Sequence, residues 1–364
     1  MKRVLVIFGG VSNENEISVI TGTMAANVLK SGGDEVIPLY ISNQGEMFTG
    51  EKLLDVLSYK DNGYKNCPSA IVGQKGLYLL NKRGKPKKFV RVDVALNCCH
   101  GGIGEGGGVS GLCALNNIPL ASASIFESAS FMDKYFTKLV LRSLGVKYVP
   151  YVYIKSESEA MKAKRLGYPM IIKPAKLGSS IGVTCVENDG ELLAAVQVAL
   201  TYGDGVIAEK YVENRREINC AAYFSDGKVL TSECEESITD KNFLTYDDKY
   251  AGGGKSVMPA DIPEYFSTKI KSITGRVYSR LNMRGIVRFD FLLGGDKIYL
   301  SEINTVPGSL SYYLLSSGFK NFYPVLQAVL LQAIEDEKAA KSKKILTTGI
   351  LNAIPQKTCK RGAK

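Results

Sequence analysis

An α/β fold in two or three packed domains is what this sequence predicts, and three observations predict it. At 364 residues the chain is longer than one compact core usually grows. Residues 3–41 alternate a strand pattern, a helix pattern and a second strand pattern. Beyond residue 170 the apolar runs are short, closely spaced and joined by glycine-serine turns, as antiparallel strands require. Apolar residues at 45% and charged residues at 23% exclude the disordered and fibrous classes.

In chain order, residues 3–8 (RVLVIF) read as a buried strand that Gly9-Gly10 turn into a helix beginning near Asn13. Asn13 and Glu16 have the spacing of a capping box. Ile17, Ile20, Met24 and Val28 recur at helical spacing and predict the packed face, and Gly32-Gly33 stop the helix. With the strand EVIPLYI this makes a βαβ opening, hence a parallel sheet. VDVALNC, a glycine-rich loop, the amphipathic VSGLCALNNI and the strand IPLAS complete a first domain over residues 1–121. A helix from Met132 to Leu144 carrying Lys134 and Lys138 leads through VPYVYI into a second unit, 122–212, where YPMIIKPA and IGVTCV pair across KLGSS. A third unit, 213–346, follows with EINCAAYFSDG, KVLTSECEE, a polar stretch at 237–261, a helix over Glu264–Leu281 and the strands GIVRFDFLLGG and KIYLSEINT. Residues 347–364 form a basic tail.

Several function classes drop out. No apolar run reaches the roughly 18 residues of a membrane span, and the N-terminal apolar run is too short for a signal peptide. The eight cysteines form no CxxC pair and the chain has a single histidine, His100, so a zinc site is not expected and reduced thiols in a cytoplasm are. The net charge of +10 raises nucleic-acid binding, but Lys82, Arg83, Lys85, Lys87 and Lys88 crowd one hairpin-like turn and the rest gathers in the tail. Solvated basic surface accounts for that pattern, with neither nucleic acid nor membrane as partner.

Two glycine patterns mislead. Gly102, Gly104 and Gly107 satisfy GxGxxG, but the preceding strand is not the first of its unit. Gly254-Lys255-Ser256 imitates the end of a Walker A loop, yet Lys249 stands where its first glycine belongs, and Pro259 and Pro263 forbid the helix that must follow. The loop from Lys173 through Lys176, Gly178, Ser179 and Ser180 to Gly182 suits phosphate better, with free backbone N–H groups, hydroxyl donors and two ammonium groups; a plain hairpin turn is the alternative. The strongest chemistry is acidic. Alternation in Arg288-Phe289-Asp290-Phe291 puts Arg288 and Asp290 on one strand face, and Glu302-Ile303-Asn304 repeats this one strand later. Two carboxylates and an amide oxygen so placed suit Mg²⁺ beside ATP phosphates, the alternative being a cross-strand ion pair of Arg288 with Glu302.

These pieces fall into an order. Phe8-Gly9-Gly10-x-Ser12-x-Glu14-x-Glu16-x-Ser18, His100-Gly101-x-x-Gly104-Glu105, Met132-Asp133-Lys134, Ile172-Lys173-Pro174 with Gly178-Ser179-Ser180-x-Gly182, Glu209-Lys210-Tyr211, Tyr246-x-x-Lys249-Tyr250, Arg288-x-Asp290 and Glu302-x-Asn304-Thr305-x-Pro307-Gly308 together resemble the D-alanine:D-alanine ligase family from residue 1 to about 335. The resemblance implies a three-domain ATP-grasp fold, the central and C-terminal domains sandwiching ATP between antiparallel sheets. It implies ATP and D-alanine as substrates, two Mg²⁺ or Mn²⁺ ions on Asp290, Glu302 and Asn304, and a homodimer. Lys134 and Lys173 are then expected at the phosphates, Glu209 and Val212 at adenine, Glu217 at the ribose, and Ser179 in a loop over the phosphates. Lys249 and Tyr250 are expected in a closing loop and Glu14 at the first D-alanine's ammonium group. Arg288 and the backbone of Gly308 are expected at the developing charge. His100, Tyr313 and Leu314 are expected to line the substrate pockets. Asn15, Gly107 and Tyr313 depart from the family pattern; Tyr313 stands where a serine meeting the second substrate is usual.

Overall fold

The computed structural model describes residues 1–238, 255–343 and 348–353. β1 (Arg3–Gly9) lies at the centre of the first sheet, between β2 (Glu35–Ile41) and β7 (Val94–Asn97), parallel to both. A short antiparallel β3 (Met47–Thr49) and a parallel β8 (Leu120–Ala121) give the order β3-β2-β1-β7-β8. Val4 to Phe8 are fully buried, which a continuous apolar run demands and a doubly covered parallel strand satisfies. β4 (Ala70–Gly73), β5 (Gly76–Leu80) and β6 (Pro86–Arg91) form a separate antiparallel sheet, and the basic turn is indeed the β5–β6 hairpin.

α1 spans Asn15–Ser31 and departs from its sequence reading in two respects. Glu14, not Asn13, holds the N-cap position without a side-chain cap. Asn15 turns inward, donating to the carbonyls of Gly10 (2.6 Å) and Ile41 (3.2 Å) and accepting from the Tyr40 hydroxyl (3.0 Å). The packed face is Ser18, Val19, Gly22, Ala25, Ala26, Val28 and Leu29 with Met24 packed against it, whereas Ile20 is half exposed. The reason is steric. A Cβ on Gly22 would sit 2.3 Å from the Phe8 ring, so glycine is needed where this helix crosses β1, with Val19, Val28 and Leu29 packing to either side.

α2 (Val109–Leu115) and α3 (Ile125–Phe131) lead to α4 (Lys134–Ser143), which Asp133 caps through the N–H groups of Tyr135 (2.8 Å) and Phe136 (3.2 Å). The second sheet is wholly antiparallel, ordered β11-β10-β12-β9 from β9 (Tyr151–Ile154), β10 (Met170–Pro174), β11 (Thr184–Val186) and β12 (Val206–Lys210). α5 (Asp189–Leu200) closes its core.

The third sheet is also antiparallel. It runs β16-β15-β13-β17-β18, with β14 alongside β13. β13 is Arg216–Ser225, β14 Lys228–Thr231, β15 Glu235–Ile238, β16 Lys255–Val257, β17 Val287–Gly294 and β18 Lys297–Asn304. KVLTSECEE is thus two strands rather than one, broken at Ser232, whose side chain accepts from the N–H of Ala221 (2.9 Å). α6 (Glu264–Arg280) packs Ile270, Val277 and Tyr278 on Phe289 and Phe291. After the short α7 (Tyr312–Leu315), α8 (Tyr323–Lys341) returns to the first sheet and shares one core with Val4, Val6 and Phe8 through Val325, Leu326, Val329 and Leu330. Among the described residues no helix is long and apolar enough to cross a membrane.

Candidate active site

The open face of β17 and β18 is the floor of the site. Arg288 pairs in register with Asn304, and Asp290 with Glu302, so the four side chains form a square while Phe289, Phe291 and Ile303 are buried beneath. Strict alternation along β18 would not produce this: Ile298 and Leu300 are buried, and Glu302 lies on their parity. A bulge between the Asp290–Glu302 and Phe291–Leu300 pairs leaves Ser301 unmatched and turns Glu302 to the open side. Arg288 forks onto Asp290 (2.7 and 2.9 Å), the Asn304 amide donates to Asp290 (2.9 Å), and Arg288 reaches the Tyr313 hydroxyl at 3.4 Å. Burial weakens the Arg288 charge, but the Asp290 carboxylate more than reverses this and holds the guanidinium firmly protonated.

Lysines hang over this floor from the second sheet and α4. Lys134 Nζ lies 3.4 Å from Glu302 and donates to the Leu177 carbonyl (2.7 Å); Lys173 lies 4.0 Å from Glu302 and 2.8 Å from Glu209. Glu209 is buried, and its other oxygen meets Lys138 at 2.5 Å. Lys138 is 1% exposed and lies over the rings of Tyr148 and Tyr151. Burial by itself would raise the Glu209 pKa, yet the two ammonium groups bring it down to about 2. Burial works against the Lys173 charge as well, and Glu209 and Glu302 outweigh it, so its pKa rises. The sequence marks Lys138 only as a helix residue; its i, i+4 spacing from Lys134, which puts both on one helix face, is the available signal. Val212 leans on the β17–β18 turn, where a Cβ on Gly294 would sit 2.4 Å from it, and Glu217 on β13 lies 3.4 Å from Arg215.

A second corner is made by loops. Ser179, in the β10–β11 loop, donates its hydroxyl to Glu14 at the start of α1. A Cβ on Gly101 would sit 2.4 Å from the Glu14 carboxylate, so glycine there is a condition of the contact. Ser179 and Ser180 both have positive φ (53° and 58°), and the loop closes on itself through the Ile181 N–H to the Gly178 carbonyl (3.2 Å) and the Val183 N–H to the Ser180 carbonyl (3.3 Å). His100 is buried. Its Nδ1–H must donate to the Val306 carbonyl (2.8 Å), which fixes Nε2 as acceptor from the Thr21 hydroxyl (2.7 Å), and Thr21 accepts the Ser309 N–H (3.0 Å). Burial pushes His100 down to about 4 and keeps it neutral. Both ring nitrogens are therefore engaged within the protein, tying α1 to the loop after β18. Glu105 accepts the Gly101 N–H (2.7 Å), and burial with the nearby Glu14 charge raises it to about 7. Glu105 closes the His100-Gly101-x-x-Gly104-Glu105 motif, whose spacing by itself indicates no role for it. After Gly308 the chain makes a left-handed turn at Ser309, Leu310 and Ser311 (φ 49°, 49° and 51°) and buries Leu314 in the short helix beyond. The structure thus gathers Glu14 with Ser179, and Arg288, Asp290, Glu302, Asn304 and Tyr313 with Lys134, Lys173 and Glu209. Lys249 and Tyr250 lie outside the described residues.

Two antiparallel sheets with lysines on one and an acidic floor on the other, beside a parallel N-terminal sheet, define an ATP-grasp protein. Residues 3–123 match the family described as D-ala D-ala ligase N-terminus, and residues 140–322 match D-ala D-ala ligase C-terminus. The D-alanine--D-alanine ligase of Thermosipho africanus is 35% identical over 94% of this chain and 96% of its own length, and that of Thermosipho melanesiensis 37% identical over 95% and 97%. Among solved structures, the Helicobacter pylori D-alanine-D-alanine ligase superposes with a TM-score of 0.75 at 27% identity, covering 91% of this chain and 98% of its own. The VanG D-Ala:D-Ser ligase of Enterococcus faecalis gives 0.77 at 28%, covering 90% and 99%. The chain belongs to the D-alanine--D-alanine ligase family.

Proposed function

We propose that the protein is an ADP-forming ligase that joins two molecules of D-alanine in the cytoplasm for peptidoglycan precursor synthesis. The observation that supports this best is the juxtaposition of the Lys134–Lys173 pair with Glu302 on the bulged strand, one wall cationic and the other anionic, with the Glu14–Ser179 contact at its end. The γ-phosphoryl group of ATP passes to a carboxylate oxygen of the first D-alanine, releasing ADP. The amine of the second then adds to the acyl carbon, and the tetrahedral oxyanion collapses with loss of inorganic phosphate and a proton. Phosphorylation is needed because a carboxylate would otherwise have to expel oxide.

In this reading Lys134 and Lys173 hold the phosphates as point charges and the Ser179 loop covers them. Glu209 and Val212 take the adenine; two lysines do not exhaust the roughly four lone-pair positions of a carboxylate. Glu217 takes the ribose, and Glu14 the first substrate's ammonium group. Arg288 and the Gly308 backbone stabilise developing negative charge. His100 orients the loop at Gly308, and Tyr313 and Leu314 border the second amino acid. Among the described residues no three His, Cys, Asp or Glu side chains converge on one metal point. The donor set of two carboxylates and an amide on one face of the paired β17 and β18 nonetheless fits a hard cation that draws its remaining ligands from phosphate and water. Asp290, Glu302 and Asn304 would hold two Mg²⁺ ions, with Mn²⁺ as substitute, which supply charge neutralisation of the phosphates. We assign residues 1–121, 122–212 and 213–346 to the three domains and 347–364 to a tail. A homodimer would cover large apolar side chains such as Ile103, Leu115, Ile125 and Phe126, each of them exposed in the single chain.

Tyr313 and the likeness to a D-Ala:D-Ser ligase favour D-serine as the next acceptor. ADP release, followed by mass spectrometry of products from equimolar D-alanine, D-serine and D-lactate, tests the reading. D-alanyl-D-alanine is the expected main product. A dominant D-lactate ester, or no magnesium-dependent ADP release with D-alanine, would overturn it.

A further inference from the structure

The β4–β5–β6 sheet contributes nothing to the site. Its solvent face carries a cross-strand row, since Ile71 pairs in register with Tyr78 and Tyr78 with Phe89. The three are 44%, 37% and 43% exposed, and the two rings pack at 5.0 Å. Residues 82–91 beside this row hold Lys82, Arg83, Lys85, Lys87, Lys88 and Arg91 with no acidic residue, all of them exposed. On the sequence alone this run read as solvated surface. Solvated charge does not account for a contiguous apolar row in its midst, and an apolar row kept in water is costly.

We propose that this face docks the protein on the surface of an anionic lipid bilayer. Ile71, Tyr78 and Phe89 enter the headgroup region, where aromatic rings are favoured, and the surrounding basic side chains pair with lipid phosphates. A basic cluster of this size is what anionic leaflets attract, and apolar side chains convert attraction into shallow insertion. The absence of a spanning helix among the described residues is silent on such docking. Charge argues against a second copy of the chain, because a twofold contact would face each basic hairpin with its own image. Stacked nucleic-acid bases fit less well: Tyr78 and Phe89 are turned on each other, tilted by 49°, and isoleucine has no ring to stack on.

Vesicle co-sedimentation tests the proposal with the full chain. Vesicles of phosphatidylcholine with about 30 mol% phosphatidylglycerol should pull down the protein at low salt and release most of it at about 0.5 M NaCl, while pure phosphatidylcholine should retain little. The double variant Tyr78→Ser, Phe89→Ser and the triple variant Lys85→Glu, Lys87→Glu, Lys88→Glu should each bind at least about tenfold less, with ADP release unchanged as proof of folding. Equal binding to both vesicle types, or double-variant binding equal to that of the unaltered chain, would overturn the proposal. So would competition by a single-stranded oligonucleotide that both variants lose, or a change in oligomeric mass in the double variant.

Discussion

Two corners of the site are built from opposite materials. The lysine corner uses regular elements: Lys134 and Lys138 from α4, Lys173 from β10, Glu209 from β12 and Glu302 from β18, with charges buried against each other. The Glu14 corner uses loops, left-handed residues and hydrogen bonds, from Ser179 to Glu14 and from Ser309 through Thr21 and His100 to Val306. Buried charge cannot be rearranged cheaply, because every displaced ammonium or carboxylate group leaves its partner unpaired. Hydrogen-bonded loops exchange partners at smaller cost, as a site that must admit and release substrate requires. The first corner is therefore the rigid one, suited to the phosphates in the proposed reading, and the second is the one free to adapt.

The largest effect expected from this contrast belongs to Glu302→Gln. In the proposed reading, loss of that carboxylate would remove several kcal/mol of charge stabilisation at the phosphates, which corresponds to a turnover roughly two to four orders of magnitude lower. ADP release in a variant with unchanged circular dichroism checks it, and near-normal turnover would sink the acidic-floor assignment.

Next comes Lys138→Met. It strips one ammonium group from buried Glu209, and breaking such a pair is expected to lower stability by about 3–5 kcal/mol. Adding Glu209→Gln to it should recover part of that loss, since no charge is then left unpaired. Urea denaturation of the two single variants and the double variant gives the coupling, and additive losses would mean that Lys138 and Glu209 do not act as a pair.

What could be read from the sequence follows the same division. Arg288, Phe289, Asp290 and Phe291 alternate as a strand half open to a site must, and Lys173 and Glu209 lie in apolar runs where a charged residue needs a reason. Glu302 was placed correctly for an incomplete reason, because one unmatched residue at Ser301 sets its direction and nothing local in KIYLSEIN marks a bulge. The packed face of α1 is legible in part: Val28 is in the core and Met24 packs against it, but Ile20 is exposed and the small residues around Gly22, which approaches Phe8, carry no signal in the hydrophobic spacing. The chain from Thr21 to Val306 crosses more than 200 positions of sequence, and no local pattern encodes it. The union of α8 with the first core was equally invisible, since its apolar spacing names no partner.

The smallest effect sharpens the comparison most, because it sets two neighbours in the loop corner against each other. His100 falls from its ordinary 6.5 to about 4 on folding, chiefly by burial, so between those values the unfolded chain binds more protons. Its contribution to stability is complete above pH 6.5 and is lost as pH falls toward 4. Glu105 rises from 4.5 to about 7, again chiefly by burial, so there the folded chain binds more protons and stability is lost as pH rises through that window. From pH 4.5 to 6.5 the two slopes oppose and the intact protein should be nearly indifferent to pH at this corner. Glu105→Gln removes one slope, and its unfolding free energy should then fall with acid by about 1 kcal/mol per pH unit relative to the intact protein. His100→Gln should give the reverse sign. Urea midpoints without substrates at about pH 5 and about pH 7 measure both, and two variants that track the unaltered chain at each pH would show that these groups titrate as they do in water.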